Sequence, residues 1–421
     1  MQDANTAKLV DHLFRHESGK MVAVLTKLLG FKNLDTAHDI IQDTLLSAMT
    51  LWSYGKLPEN PTAWLYHVAR NKAIDFLRRE QARPRIQSGF SQSLDPIPET
   101  ATANLFLETE IEDSVLRMMF ACCHPDIPIE SRIAMALKTL GGMTSREIAH
   151  AFLTSEDTII KRIYRAREKI KNEKIPLDVP VSGALLPRLE SVLQVLYLLF
   201  NEGYNSSHPD TLIRHDLCSE AMRLCHLLTR HTDTDKPATN ALMALMCFQA
   251  SRLDSRIDQH GNIITLKYQD RSTWNRQLIS RGFHYLDRAA ELNSFSLYHL
   301  EAGIASVHAA SPSFEQTDWK AIYHLYEILY SINPSPVVAL NKAIASSYAV
   351  SAQSALDALQ NIKGLENNHL YYASLAEVCL GLGKNEDARN YFDSAISLTD
   401  SKLEKELLKQ KRDAVDFPAH P

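Results

Sequence analysis

The stretch MTSREIAHAFLTSEDTIIKRIYRAREKI, Met143 to Ile170, decides how the chain is built. Thr144-Ser145-Arg146-Glu147 has the layout of a capping box, with the Thr144 hydroxyl accepting from the Glu147 amide and the Glu147 carboxylate accepting from the Thr144 amide. A helix therefore starts there, with Ile148 and Ala149 inward, and is expected to stop near Leu153. A second helix follows with Thr154 or Ser155 as its N-cap, and Glu156 and Asp157 are favourably placed in its first turn. Ile159, Ile163, Ala166 and Ile170 recur at helical spacing and make a buried stripe. Glu156, Thr158, Lys161, Arg162 and Arg165 are left facing outward, with Arg167 and Lys169 further along. Helix, short turn, helix at this spacing is the helix-turn-helix plan, whose second helix lies in the major groove. Its N-terminal members reach bases, while Arg165, Arg167 and Lys169 are better placed for phosphates.

A basic helix is unexpected in a chain of net charge -5, but nucleic-acid binding needs only a local basic face. The 421 residues, 45% hydrophobic and 23% charged, suit two or three globular domains. No run of eighteen apolar residues occurs, and MQDANTAKLVDHLF lacks the basic-then-apolar layout of an export signal; a cytoplasmic protein without a membrane partner is expected. Cys122, Cys123, Cys218, Cys225, Cys247 and Cys379 are scattered, so reduced thiols are the default. Neither Cys122-Cys123-His124 nor the pair His215 and Cys218 has chelating spacing, and no metal or cofactor is expected. No glycine-rich phosphate loop, serine elbow or HExxH appears, which leaves an enzyme reading without a motif.

Almost every segment has apolar residues at three- and four-residue spacing, which predicts an all-α protein. GNIITLKYQD, Gly261 to Asp270, is the one extended or hairpin candidate. Ala82 to Asn104 holds Pro84, Gly89, Pro96 and Pro98 without an apolar stripe and reads as a flexible linker; Lys174 to Gly183 is a second break. The expected units are 1–82, a linker 83–104, then 105–174 and 184–421.

In the first unit Leu34, Ala37, Ile41, Leu45 and Ala48 form an apolar stripe, with Asp39, Gln42, Asp43 and Ser47 opposite. That polar face is either simply solvated or an acidic docking surface for a basic partner. A further helix, AWLYHVARNKAIDFLRRE, can bury Trp64, Leu65, Val68, Ala69, Ile74 and Leu77. Its other side carries Arg70, Asn71, Lys72, Arg78 and Arg79, able to neutralise phosphates and, through Asn71, to pair with a base edge.

The third unit repeats. Ala321, Leu325 and Ile328 recur as Ala355, Leu359 and Ile362, then as Ala388, Phe392 and Ala395, with Gly282, Leu286 and Ala289 as a looser earlier copy. The period, about 34 residues, is that of tetratricopeptide helix pairs, which stack around a shared core and leave one concave face for a partner. Two stretches interrupt it: Asn201, Glu202 and Tyr204 end an apolar helix, and Asp270-Arg271 forms an expected ion pair near Trp274. They are read either as a contact surface or as a structural latch.

DIIQDTLLSAMTLW, PTAWLYHVARNKAIDFLRRE and MTSREIAHAFLTSEDTIIKRIYRAREKI, in this order, resemble regions 2.2, 2.3–2.4 and 4.2 of bacterial RNA polymerase sigma factors of the extracytoplasmic function (ECF), sigma-70 type. FACCHPDIP, LYLLFNEGYNSS, KYQDRSTWNR and NPSPVVALNKAIA are similar to signatures of the subgroup with a C-terminal tetratricopeptide-like (TPR-like) extension. The resemblance implies a region-2 helical bundle, a region-4 helix-turn-helix and a TPR-like α-solenoid. It implies that Asp39, Gln42, Asp43 and Leu46 dock on the clamp helices of core RNA polymerase, with region 4 near its flap. Asn60, Trp64, Arg70, Asn71, Lys72, Asp75, Arg78 and Arg79 would engage the −10 element of promoter DNA. The helix from Ser155, with Glu156, Thr158, Lys161, Arg162, Arg165 and Arg167, would read the −35 element. The repeats would control activity in cis or bind a regulatory protein. Asp157 departs from the family pattern, which has a small residue in that turn. The alternative is a helix-turn-helix regulator with a tetratricopeptide sensor domain, or a repeat scaffold with an incidental DNA motif.

Overall fold

The structure is a computed structural model that describes residues 2–53, 57–88, 105–151, 154–180, 184–206, 211–290 and 295–415. Regular structure among them is helical apart from one isolated antiparallel bridge, Ile257 to Ile263, which has only its second residue on the stretch expected to be extended; Leu266–Tyr268 of that stretch is a short 3-10 helix. There the Asp258 carboxylate accepts from the amides of His260 and Asn262, both at 2.8 Å, and closes the turn.

Contacts group the described chain into two compact units. The first comprises residues 1–199 and 219–228, so the expected units 1–82 and 105–174 share one body. It contains α1 (Gln2–Leu29), α2 (Leu34–Ser53), α3 (Pro61–Ser88), α4 (Glu108–Cys122), α5 (Ile129–Thr139), α6 (Ser145–Ala151) and α7 (Glu156–Glu173). The partition then runs through α8 (Leu185–Tyr204) and α9 (His215–Arg230).

The linker starts later than expected, because α3 continues through Pro84 to Ser88. A proline removes one backbone donor, and here the helix carries on for a further turn. The remaining linker residues, 89–104, lie outside the described residues.

In α1, Met21, Val22, Ala23, Val24 and Leu25 are all buried. Five consecutive buried residues cannot share one helix face, so α1 is covered on more than one side: by α2 and α3, and by α4. Each such aliphatic side chain contributes about 1.5–3 kcal/mol when fully buried.

The second unit comprises residues 200–218 and 229–421. After α10 (Pro237–Ala250) and α11 (Arg276–Ala290) come α12 (Leu297–Ala310), α13 (Trp319–Ile332), α14 (Pro336–Ala349), α15 (Ala352–Gln360), α16 (His369–Gly381), α17 (Asn385–Leu398) and α18 (Lys402–Ala414). From α10 onward each helix packs on the next. Gly282 brings α10 and α11 together, since a β-carbon there would stand 2.6 Å from the Phe248 ring.

Sharp local signals set the helix starts. Asp318, Ser335, Ser351, Asn368 and Ser401 cap α13, α14, α15, α16 and α18 with side-chain oxygens. Of the counted repeat positions, Ala355, Leu359, Ala388, Phe392 and Ala395 are completely buried. Ala321, Leu325, Ile328 and Ile362 are half-buried, so the copy at Ala321, Leu325 and Ile328 is packed more loosely than the last.

Candidate nucleic-acid and partner interfaces

On α2 the expected stripe of Leu34, Ala37, Ile41, Leu45 and Ala48 is buried. That orients Asp39, Gln42, Asp43 and Leu46 to the outside, and Leu46 is 61% exposed. Asp35, one turn earlier, and Met49, one turn later, extend the same exposed row. Sequence reading missed Met49; its signal was a large apolar side chain off the buried stripe.

Along α3 the −10 candidates divide. Asn60 accepts from the Ala63 amide at 2.9 Å and so starts the helix. Trp64 is half-buried, edge-on to Trp52 with ring centroids 5.4 Å apart. Lys72 turns toward α2 and donates to the Ser47 hydroxyl at 3.3 Å, and Arg70 is half-buried. Asn71, Asp75, Arg78 and Arg79 remain exposed on one side, with His67 beside Asn71 as a member that sequence reading passed over. The Asp75–Arg78 pair, 3.7 Å apart and exposed, is weak enough to yield to a phosphate.

The α6–α7 geometry follows from its caps. The Glu147 carboxylate accepts from the Thr144 amide at 2.7 Å, and the Thr144 hydroxyl accepts from the Glu147 amide at 3.2 Å. Ser155 accepts from the Thr158 amide at 3.3 Å, and the two hydroxyls share a 2.8 Å hydrogen bond. Ile159, Ile163, Ala166 and Ile170 are buried, and Ser155, Glu156, Lys161 and Arg165 are exposed.

Three expected outward residues are engaged within the protein. Thr158 serves the cap, Arg162 donates to Glu130 at 2.8 Å, and Arg167 pairs with Asp35 at 2.9 Å. In their place Ile160 and Tyr164, 50% and 64% exposed, stand among Lys161 and Arg165 as apolar surface. Beside the Arg167–Asp35 pair, burial and then Arg167 and Lys138 push the His38 imidazole down to about 4, against a raising influence from Asp35.

In the second unit the expected Asp270–Arg271 ion pair is replaced by two separate interactions. Asp270 accepts from the Ser272 amide at 2.9 Å. Arg271 is buried and donates to the carbonyls of His308 (2.9 Å) and Ser311 (3.1 Å) and to the Thr317 hydroxyl (2.9 Å). The reason is supply and demand: the last carbonyls of α12 lack helical donors, and a guanidinium carries five. Burial, then Arg252, lowers the Arg271 pKa; burial, then Arg252 and Arg271, pushes His308 down to about 3.

Trp274 is buried with the Arg271 guanidinium 5.3 Å from its ring, and Glu202 is also buried. Tyr204 is half-buried beneath the Arg256 guanidinium, 4.0 Å from its ring, and its hydroxyl accepts from Arg252. Asn201 is half-buried and Asp270 exposed. Glu202, Arg271 and Trp274 are thus buried, which favours the latch over the contact surface among the two readings.

An accessible concavity in this unit lies elsewhere. A groove of about 620 Å³ is lined by Tyr268, Phe314, Trp319, Tyr348, Leu370 and Leu380, among others. Trp319 stacks on Tyr348 at 4.4 Å, with Phe314 edge-on to both. Among the described residues no group of three His, Cys, Asp or Glu side chains is placed to hold a metal ion, and no helix is long and apolar enough to cross a membrane.

Comparison with known proteins gives these surfaces a context. An uncharacterized protein of Rhizobium meliloti (strain 1021) is 34% identical over 384 residues, covering 91% of this chain and 90% of the other. The chain belongs to the same family as that protein. Residues 13–83 match Sigma-70 region 2, and residues 188–290 match a family of unknown function (DUF6596). The ECF RNA polymerase sigma-E factor of Escherichia coli (strain K12) is 28% identical over 146 residues, 33% of this chain and 74% of that one. A probable RNA polymerase sigma factor of Xanthomonas campestris pv. campestris is 28% identical over the same length, 34% of this chain and 35% of its own. No solved structure matches. About a third of the chain is thus homologous to ECF-type sigma-70 factors, and a sigma-like role in transcription is supported for that part.

Proposed function

We propose that this chain is an alternative sigma factor, which binds core RNA polymerase and directs initiation at particular promoters. The observation that carries the reading is the exposed row Asp39, Gln42, Asp43 and Leu46, lying inside the residues that match Sigma-70 region 2. A row of carboxylates that ends in an exposed leucine suits a basic partner helix with an apolar end, as the clamp helices would supply.

On this reading the exposed side of α3, with Asn71, Arg78 and Arg79, engages the −10 element. Helix α7 enters the major groove at the −35 element through Ser155, Glu156, Lys161 and Arg165, while Ile160 and Tyr164 meet thymine methyl groups. The protein carries out no chemistry itself. The helices of the second unit form a TPR-like solenoid, and its aromatic groove receives a regulatory partner or acts in cis. An ordinary helix-turn-helix regulator is disfavoured, because it has no use for a region-2 module.

Transcription in vitro tests this. Core polymerase freed of other sigma factors, supplied with the full-length protein and with DNA enriched by its binding, should initiate at defined start sites. If neither the full chain nor a truncated chain ending near Lys174 directs initiation, the reading is wrong; equal activity of the two removes the regulatory role of the repeats.

A further inference from the structure

We infer that the second unit holds a binding site for a multiply charged oxyanion, of the phosphate class, where Arg252 and Arg256 converge on Tyr204. Neither the site nor its test depends on the sigma reading. The site lies within residues 188–290, the part that matches a family of unknown function.

Two stretches that interrupt the repeat meet there. LYLLFNEGYNSS supplies Tyr204 and Asn205, and KYQDRSTWNR supplies Gln269, Arg271 and Trp274. Arg252 and Arg256 follow the end of α10. The Arg256 guanidinium lies 4.0 Å from the centroid of the Tyr204 ring, and that of Arg252 lies 5.6 Å from the same centroid. Gly203 sets the place of the ring: a β-carbon there would stand 2.7 Å from the Cys218 amide nitrogen, so α8 can end this close to α9 only at glycine.

Each guanidinium has hydrogen bonds, but none has a counter-charge. Arg252 donates to the Tyr204 hydroxyl and, at 3.5 Å, to the Gln269 side-chain oxygen. Arg256 donates to the Tyr204 carbonyl and, at 3.4 Å, to Asn205 Oδ1. With Arg271 on its carbonyls, three cations stand together on neutral acceptors, and among the described residues no carboxylate forms an ion pair with any of them. Glu315, which acts on Arg271 from a distance, is exposed and held by Ser313.

Neutral oxygens replace the lost water but leave the charge uncompensated, which is the costly state for a cation withdrawn from solvent. Burial lowers the Arg256 pKa; Tyr204 opposes the shift and Arg252 adds to it. Arg252 acts in the same sense on Arg271 and on His308. Two buried donors of the cluster, Arg271 Nε and Trp274 Nε1, have no acceptor.

A tetrahedral oxyanion supplies what is missing, several acceptor oxygens and more than one negative charge. A monocarboxylate brings a single charge and is the poorer ligand. The 3.5 and 3.4 Å contacts of Arg252 and Arg256 are long, so they are readily exchanged for phosphate oxygens. Both side chains are half-buried and so keep a side open to solvent, while Arg271 stays on its carbonyls and contributes its field.

Calorimetric titration of the full chain with inorganic phosphate, pyrophosphate and ATP at constant ionic strength tests the site, with acetate as the monovalent control. We expect saturable binding of one pyrophosphate per chain, about tenfold tighter than inorganic phosphate, and none of acetate. ATP binding tighter than pyrophosphate assigns the site to a nucleotide, and the reverse order assigns it to free phosphates; either order supports the oxyanion. Arg252→Gln and Arg256→Gln should each weaken pyrophosphate binding about tenfold or more, and Arg252→Lys, which keeps the charge but not the fork, about threefold. Arg281→Gln, an exposed cation on α11, should change nothing.

Hydrogen exchange locates the site without any substitution, so it decides the matter even where a variant fails to fold. Bound pyrophosphate should slow exchange in peptides spanning 201–206 and 251–275. Absence of saturable binding overturns the site. So does unaltered affinity in folded Arg252→Gln and Arg256→Gln proteins, or protection that falls on α7 instead.

Discussion

Arg167 and Arg271 are the same side chain put to opposite uses. Arg167 sits at the edge of the first unit and holds one exposed carboxylate, Asp35. Arg271 is buried in the second unit and holds backbone carbonyls at the end of α12. The first contact can be exchanged for another anion at little cost. The second cannot, because losing it strands buried acceptors. A guanidinium's partner, more than its charge, decides whether it is available for function.

The largest effect is expected of Arg271→Ala, which should destabilise the second unit by about 3 kcal/mol in denaturant unfolding. Arg271→Lys should restore little, since an ammonium cannot reproduce the planar fork. Stability lost equally on Arg167→Ala would erase the distinction.

Each unit also has a half-buried histidine, His38 and His308, whose pKa is lowered. Their folded pKa values lie below the ordinary 6.5, so the folded state is favoured when they are deprotonated. That contribution is complete above pH 6.5 and is lost as pH falls, by up to about 1.4 kcal/mol per unit for each group. For His38, facing Asp35, Arg167 and Lys138, the loss should end near pH 4. For His308, facing Arg252 and Arg271, it should run on to about 3. Proton resonance titration of the imidazoles distinguishes the two windows; ordinary titration near 6.5 at either site would contradict its burial.

Charge reversal at Asp39 and Asp43 should lower affinity for core polymerase tenfold or more, with unfolding free energy changed by less than about 0.5 kcal/mol. Binding of DNA by α7 should be spared. The smallest effect is expected for the Asp35–Arg167 coupling itself: a double-mutant cycle should give about 0.2–1 kcal/mol at low salt and less at high salt.

Much of this was legible in the residues. The stripe Ile159, Ile163, Ala166 and Ile170, the Thr144–Glu147 box and the recurring Ala355 and Ala388 are local patterns, and local patterns are written in one stretch of chain. What escaped reading depends on remote partners. Nothing near Arg162 or Arg167 announces Glu130 or Asp35. Asp270 and Arg271 were adjacent and opposite in charge, yet acceptors on α12 and a free amide at Ser272 outcompeted the obvious pairing. The aromatic groove was invisible for the same reason, being assembled from residues that only helix stacking brings together.

The placing of the indoles has an optical consequence. Trp52 and Trp64 form their edge-on pair in the first unit, and Trp274 and Trp319 lie at the latch and the groove of the second. With four tryptophans in the chain, the α3 surface and the groove therefore each carry a native fluorophore, and α7 carries none. A base stacked on half-buried Trp64 would quench emission, and a ligand in the groove would alter Trp319, so the protein can report its occupancy without a dye.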